Sequence, residues 1–213
     1  MKQELKVLLG IGVTTLLLLF GAVWWFSKSN SPTSSTPADQ SVLIKEDSPT
    51  LGPKDAKVTI VEFLDPECES CGAMFPIVKQ LMKDYDGQVR LVVRYFPLHK
   101  NSLLAATVTE AAGQQGKYWE MQEKLFVNQK QWGEQQTSQK ELFLQYAKEL
   151  QLDMTKFEAA LNDPKIAEKI QRDQTDGKTL GVRATPTFFI NGQEVKNLSV
   201  PLIKSTIEAE LKK

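Results

Sequence analysis

The sequence predicts an α/β domain, a mixed central sheet flanked by helices with a long helical insertion, preceded by one transmembrane helix. Three observations carry this. Residues 7–26, VLLGIGVTTLLLLFGAVWWF, run 20 positions without a charge. Two strand-like runs, VTIVEFL (58–64) and QVRLVVRYF (88–96), are separated by a single amphipathic segment. TPTFFI (185–190) runs into Asn191-Gly192, the strongest short hairpin signal.

At about 1.5 Å per residue, a helix over 7–26 crosses about 30 Å of hydrocarbon. Lys2 and Lys6 precede it and Trp24 and Trp25 stand at its far end, so residues 1–26 read as a cytoplasmic start and an anchor, with the rest of the chain extracytoplasmic. A cleaved signal peptide is the competing reading. The apolar run exceeds the usual span of roughly 7–15 residues and no clear A-x-A site follows, which favours an uncleaved anchor. Residues 27–52 open with SKSNSPTSSTPADQ and read as a flexible linker, because small polar residues bury too little apolar surface to offset ordering. The folded domain is expected over 53–213.

VTIVEFL has apolar residues on both parities, the mark of a central strand covered on both faces, and Glu62 is its one charge. Cys71, Met74, Phe75, Val78, Leu81, Met82 and Tyr85 then recur at three- and four-residue spacing up to Asp86-Gly87, which predicts a helix with one buried face and a glycine stop. Pro97 ends the second strand. Strand, helix and strand in this order imply a parallel pair with a right-handed crossover. Residues 101–180 show only helical periodicity, and the aromatics Tyr118, Trp119, Phe126, Trp132, Phe143 and Tyr146 read as the core of that insertion. After the hairpin, Gln193–Val195 form a return strand, and Ser199 and Pro201 open a last helix striped by Leu202, Ile203, Ile207 and Leu211.

Composition narrows the chemistry. With 26 Lys+Arg against 26 Asp+Glu and no basic block, there is no electrostatic footprint for nucleic acid. No GxxxxGK[ST] loop is present, and one histidine with two cysteines is too few for a closed zinc site built from Cys and His. No cofactor or metal is implied.

The segment FLDPECESC places C-E-S-C where a strand gives way to a helix. Cys68 then sits at the helix N-terminus, where unpaired amides and the macrodipole favour a thiolate. Cys71 lies one turn further in, shielded and able to attack a mixed disulfide, so Cys68 is read as the nucleophile and Cys71 as the resolving thiol. A static disulfide or a two-thiolate metal contribution is the alternative. An extracytoplasmic location favours redox chemistry, since disulfides persist there and no third thiol competes.

With these residues in place, the domain resembles the thioredoxin superfamily, and within it the membrane-tethered DsbA-like thiol–disulfide oxidoreductases. GPKDAKVTIVEFLDPECESC and GVRATPTFFING carry the resemblance, which covers about Pro53 to Lys213. The 115 positions between Cys71 and Pro186 favour the DsbA-like branch, whose members hold a helical subdomain there. The resemblance implies a thioredoxin-like fold and a cis Thr185-Pro186 bond packed against the disulfide, where the backbone pairs with an extended substrate; a trans proline opening a strand is the alternative. It implies that Glu62, six residues before Cys68, is a buried acid that takes the proton of Cys71. A structural acid, paired for instance with Arg94 or reaching solvent, is the competing role. Pro76 resembles the kink proline of the active-site helix.

Asp65, Glu67 and Glu69 place three acids around the pair, and the residues between the cysteines, Glu69 and Ser70, depart from the Pro-His or Pro-Ser of DsbA-like patterns. These two are expected to tune the potential, toward a less oxidising disulfide than DsbA's; acids that form only a solvated face are the alternative. His99 reads as a polar loop residue. The expected function is oxidation of exported protein thiols by a monomer that a membrane redox partner reoxidises. A reductase or isomerase in the same compartment, and a tethered binding module with a structural disulfide, are the competing functions.

Overall fold

The computed structural model describes residues 37–213, which form one unit, Pro37–Lys213. The expected anchor and the first part of the expected linker lie outside the described residues, and among the described residues no helix is long and apolar enough to cross a membrane.

Two β-branched heptapeptides make the centre of the sheet. β2 (Val58–Leu64) runs parallel to β3 (Val89–Tyr95) with Val58 opposite Val89 and Leu64 opposite Tyr95. On its other side β2 pairs antiparallel with β4 (Thr187–Ile190), which turns through Asn191-Gly192 into β5 (Gln193–Glu194). Asn191 and Gly192 both have positive φ, 46° and 85°, as a tight two-residue turn between twisted strands demands. β1 (Thr50–Leu51) closes the far edge, giving the order β1-β3-β2-β4-β5.

Side chains alternate across this sheet and build two cores. Val58, Ile60 and Leu64 of β2 join Val89, Leu91, Val93 and Tyr95 of β3 in the larger one, while Val61, Phe63 and Val92 enter the smaller one with Leu43, Phe96, Val182 and Phe189. Glu62 stands opposite Val93 in register, whereas Arg94 stands opposite Phe63. The carboxyl therefore points into the larger core and the guanidinium into the other, which removes the expected alternative of a Glu62–Arg94 pair. Arg94 is fully buried against Asp173 at 2.8 Å and contacts Asp176 at 2.5 Å.

α2 (Glu69–Asp84) connects β2 to β3, carries Pro76 inside it, and buries Cys71, Val78 and Leu81. Gly87, at φ 73°, follows its end. The insertion holds α3 (Ser102–Gly113), α4 (Tyr118–Val127), α5 (Gln129–Trp132), α6 (Lys140–Glu149), α7 (Met154–Ala160) and α8 (Pro164–Thr179). Trp132 is wholly buried and meets Phe143 edge to face at 5.0 Å, and Tyr118, Phe126 and Tyr146 are buried as expected, whereas Trp119 is only half-buried. α8 returns across the smaller core, where a Cβ on Gly177 would come within 2.8 Å of the Phe96 ring; only glycine permits this approach. α9 (Val200–Leu211) closes the chain, with Ser199 accepting from the Leu202 amide.

The fold begins earlier than Pro53, which corrects the expected linker boundary. α1 (Gln40–Leu43) docks with Leu43 fully buried, and its last carbonyls accept from Arg94 Nη1 at 2.7 Å. The Ala38 amide donates to Gly192 O, the Val93 amide donates to Pro49 O, and Arg172 pairs with Asp47 at 2.7 Å. A short apolar contact around Leu43, backbone bonds and two arginines hold this segment, and none of these leaves a periodic pattern in the sequence.

Candidate active site

Cys68 is the N-cap residue of α2, with extended backbone (φ −67°, ψ 122°) and no side-chain cap bond of its own. Its sulfur stands at the first turn, where unpaired amides, those of Ser70 and Cys71 among them, favour the thiolate. The Cys71 thiol is the strongest influence: its hydrogen bond to the Cys68 sulfur, with further support from Thr185 and the two amides, outweighs partial burial and brings the Cys68 pKa down to about 5. The Ser70 side chain is exposed, and only its amide bears on Cys68.

Cys71 is 1% exposed, and burial, the bond it gives to Cys68 and the charge of Glu62 hold its thiol far above the ordinary range. The Asp65 amide approaches its sulfur at 3.5 Å. One thiol is thus ionised and accessible, its neighbour protonated and buried. Both are free in this structure.

Thr185-Pro186 is a cis peptide bond. It brings the Thr185 carbonyl within 3.3 Å of the Cys68 sulfur. Glu62 is 5% exposed, and burial raises its pKa to about 8. It shares with Cys71 the wall of a cavity of about 170 Å³ lined mainly by Leu64, Phe75, Trp119 and Phe126. The site residues expected from the sequence are therefore brought together, Glu62 beneath the pair and Thr185-Pro186 beside it.

The three acids around the pair divide, and Asp65 and Glu67 do not form the solvated face of the alternative reading. Glu69 is exposed in the first turn of α2. Asp65 and Glu67 are buried and hold backbone: Asp65 accepts from the Glu67 amide at 2.8 Å and the Leu98 amide at 2.7 Å, and Glu67 accepts from the Asn101 and Glu134 amides at 2.6 and 3.0 Å. Gln129 donates to Pro66 O and Cys68 O at 2.9 and 3.0 Å, fixing the same turn from the helical insertion. Nothing local in the sequence marks Gln129 or the two buried acids for this work. His99, read as a bland loop residue, instead contacts Asp65 at 2.7 Å beside the cysteine turn.

An activated thiolate at a helix N-terminus, paired with a buried thiol on a sheet with a helical insertion, defines the class of thiol–disulfide oxidoreductases with a thioredoxin fold. A thioredoxin family model matches residues 45–209. Oxidised BdbD from Bacillus subtilis superposes with a TM-score of 0.72 at 30% identity, over 84% of this chain and 98% of that one. A cysteine variant of α-DsbA1 from Wolbachia pipientis gives 0.70 at 25% identity, over 80% and 93%. The Na+/H+ antiporter NhaA of Herminiimonas arsenicoxydans is 34% identical over 145 residues, which are 68% of this chain and 22% of the antiporter. The chain thus spans only a fraction of the length of the curated relatives it matches. It belongs to the thioredoxin family, in the DsbA-like branch of thiol–disulfide oxidoreductases.

Proposed function

We propose that the protein oxidises thiols of exported proteins by disulfide exchange through Cys68 and Cys71, from a domain that residues 7–26 anchor to the outer face of the membrane. The observation that carries this reading is the unequal state of the two thiols, one with a pKa of about 5 and its partner buried and protonated. Stabilising a thiolate stabilises the dithiol relative to the disulfide, and that makes the disulfide oxidising.

In the oxidised enzyme a substrate thiolate attacks Cys68 Sγ. The Cys68–Cys71 bond breaks, and Cys71 leaves with the electron pair. Glu62, neutral near pH 7 because its pKa is about 8, supplies the proton that the buried sulfur needs. A second substrate thiolate then attacks the substrate sulfur of the mixed disulfide, and Cys68 departs as a stabilised thiolate. Two electrons have moved from substrate to enzyme, and a membrane-borne oxidant that accepts them restores the disulfide. The oxidising capacity resides in the S–S bond and the dithiol holds the electron pair taken from substrate, so the exchange itself calls for no cofactor. The carbonyl of Thr185 and the turn at Pro186 offer an extended peptide a backbone partner beside Cys68.

The test is transfer. The oxidised full chain, mixed with a reduced secreted protein, should become reduced as the substrate gains a disulfide. A chain that stays oxidised while the substrate thiols persist would contradict the proposal.

A further inference from the structure

Asp65 carries more than loop anchoring. Its carboxylate is fully buried, and it accepts from two backbone amides, those of Glu67 on Oδ1 and Leu98 on Oδ2. The third partner is His99, whose Nδ1 lies 2.7 Å from Oδ2. An acceptor on that side requires the proton on Nδ1, so Nε2 is the nitrogen that titrates. The backbone of His99 is held as well, its amide donating to Ser102 Oγ at 3.1 Å. Asp65 itself is tied to both cysteines: its carbonyl accepts from the Cys68 backbone amide at 3.1 Å, and its amide approaches Cys71 Sγ at 3.5 Å. The imidazole is thereby oriented at the active-site turn while 46% of its side chain stays open to solvent.

We propose that His99, held by Asp65, is a positioning residue whose protonated ring stabilises the Cys68 thiolate and so sets the redox potential of the site as a function of pH. The C-E-S-C segment contains no cation, and the histidine comes instead from the loop after β3. The charged groups that act on His99 are Asp65, the Cys68 thiolate and Glu67, all from the turn between β2 and α2; Lys100 is its neighbour in its own loop. Partial burial opposes the charged ring, but the hydrogen bond and charge of Asp65, followed by the charges of Cys68 and Glu67, prevail and raise its pKa. Because the attraction is mutual, the imidazolium stabilises the thiolate by as much as the thiolate stabilises the imidazolium. The disulfide has no such charge, so the benefit falls on the reduced form alone and makes the disulfide a stronger oxidant.

The inference rests on the thiol-exchange reading, and the experiment separates the two. His99 is the only histidine in the chain, so the untagged full-length protein gives one imidazole proton resonance to follow against pH. Its pKa should be higher in the reduced than in the oxidised protein, by roughly half a unit for one screened charge. In parallel, the equilibrium with glutathione should favour the dithiol about threefold less in His99→Asn at pH 6, with the difference gone by pH 9. Asparagine can still donate to Asp65 but carries no charge; His99→Lys, a permanent cation, should keep the wild-type value at pH 6 and hold it at pH 9. A merely structural histidine would move neither readout. Equal histidine pKa values in the two redox states, with His99→Asn superposing on wild type, would overturn this inference alone. A reduced wild type with no low-pKa thiolate would overturn the exchange reading and this inference together.

Discussion

The Cys68 sulfur lies 3.3 Å from the carbonyl oxygen of Thr185, a residue 117 positions away in sequence. The helix-capping cysteine and the cis-proline turn thus come from distant parts of the sequence. β2 holds them together: α2 starts just beyond its end, and β4 pairs along it. Cys68 and the Thr185-Pro186 turn then meet at one end of the sheet, beyond the last residue of β2.

Cys68→Ser should abolish exchange, while Cys71→Ser should accumulate a covalent complex with substrate, because the resolving thiol is missing. The second thiol also activates the first. Cys71→Ala removes the hydrogen bond that contributes most to the low Cys68 pKa, so absorbance titration of its thiolate should place the pKa well above about 5. Wild-type turnover by Cys71→Ser would contradict the assignment.

Glu62→Gln should slow steps in which Cys71 gains or loses a proton more than the first attack by the Cys68 thiolate on a substrate disulfide. Stability supplies a second readout. The folded-state pKa of Glu62 is raised to about 8 from an ordinary 4.5, so between these values the native state keeps a proton that the unfolded chain has lost. Stability therefore falls as pH rises through this window, by up to several kcal/mol. Glutamine removes that dependence, and thermal melts should show the variant gaining over wild type from pH 5 to pH 8. A constant difference across the range would show that the acid ionises freely.

The acids near the thiols should respond differently. Glu69→Gln removes an exposed carboxylate at the start of α2 and should make the potential more positive by roughly 15 mV, the equivalent of about half a pKa unit at Cys68. Glu67→Ala should instead destabilise the domain by about 1–3 kcal/mol, since it leaves the buried Asn101 amide without an acceptor and frees the part-buried amide of Glu134. Denaturant melts and glutathione titrations on the two variants separate these effects. A large stability loss in Glu69→Gln, or a shifted potential without a stability loss in Glu67→Ala, would reverse the division.

What was legible in the sequence had a local signature. VTIVEFL and TPTFFI-NG read as strands and a hairpin because alternation and turn chemistry act over a few residues, and C-E-S-C read as a redox pair because strand-to-helix geometry puts Cys68 at the cap. The rest depended on distant partners. Asp65 and Glu67 looked like ordinary acids because what buries them, His99 and Asn101, lies 34 positions further on. Gln129 holds the cysteine turn from 61 residues beyond Cys68. Leu43 docks with only Ala38 and Ile44 of its own segment packed beside it, so residues 38–52 carried no periodicity to mark them as folded.

The measurement closest to the central claim is the reduction potential of the Cys68–Cys71 pair in the full chain, equilibrated with glutathione at pH 7. A thiolate held at a pKa of about 5 beside a buried partner places the couple among oxidants, at about −120 to −200 mV. A value near −270 mV would mark a reductant, and one well below about −300 mV a structural bridge; either would contradict the account.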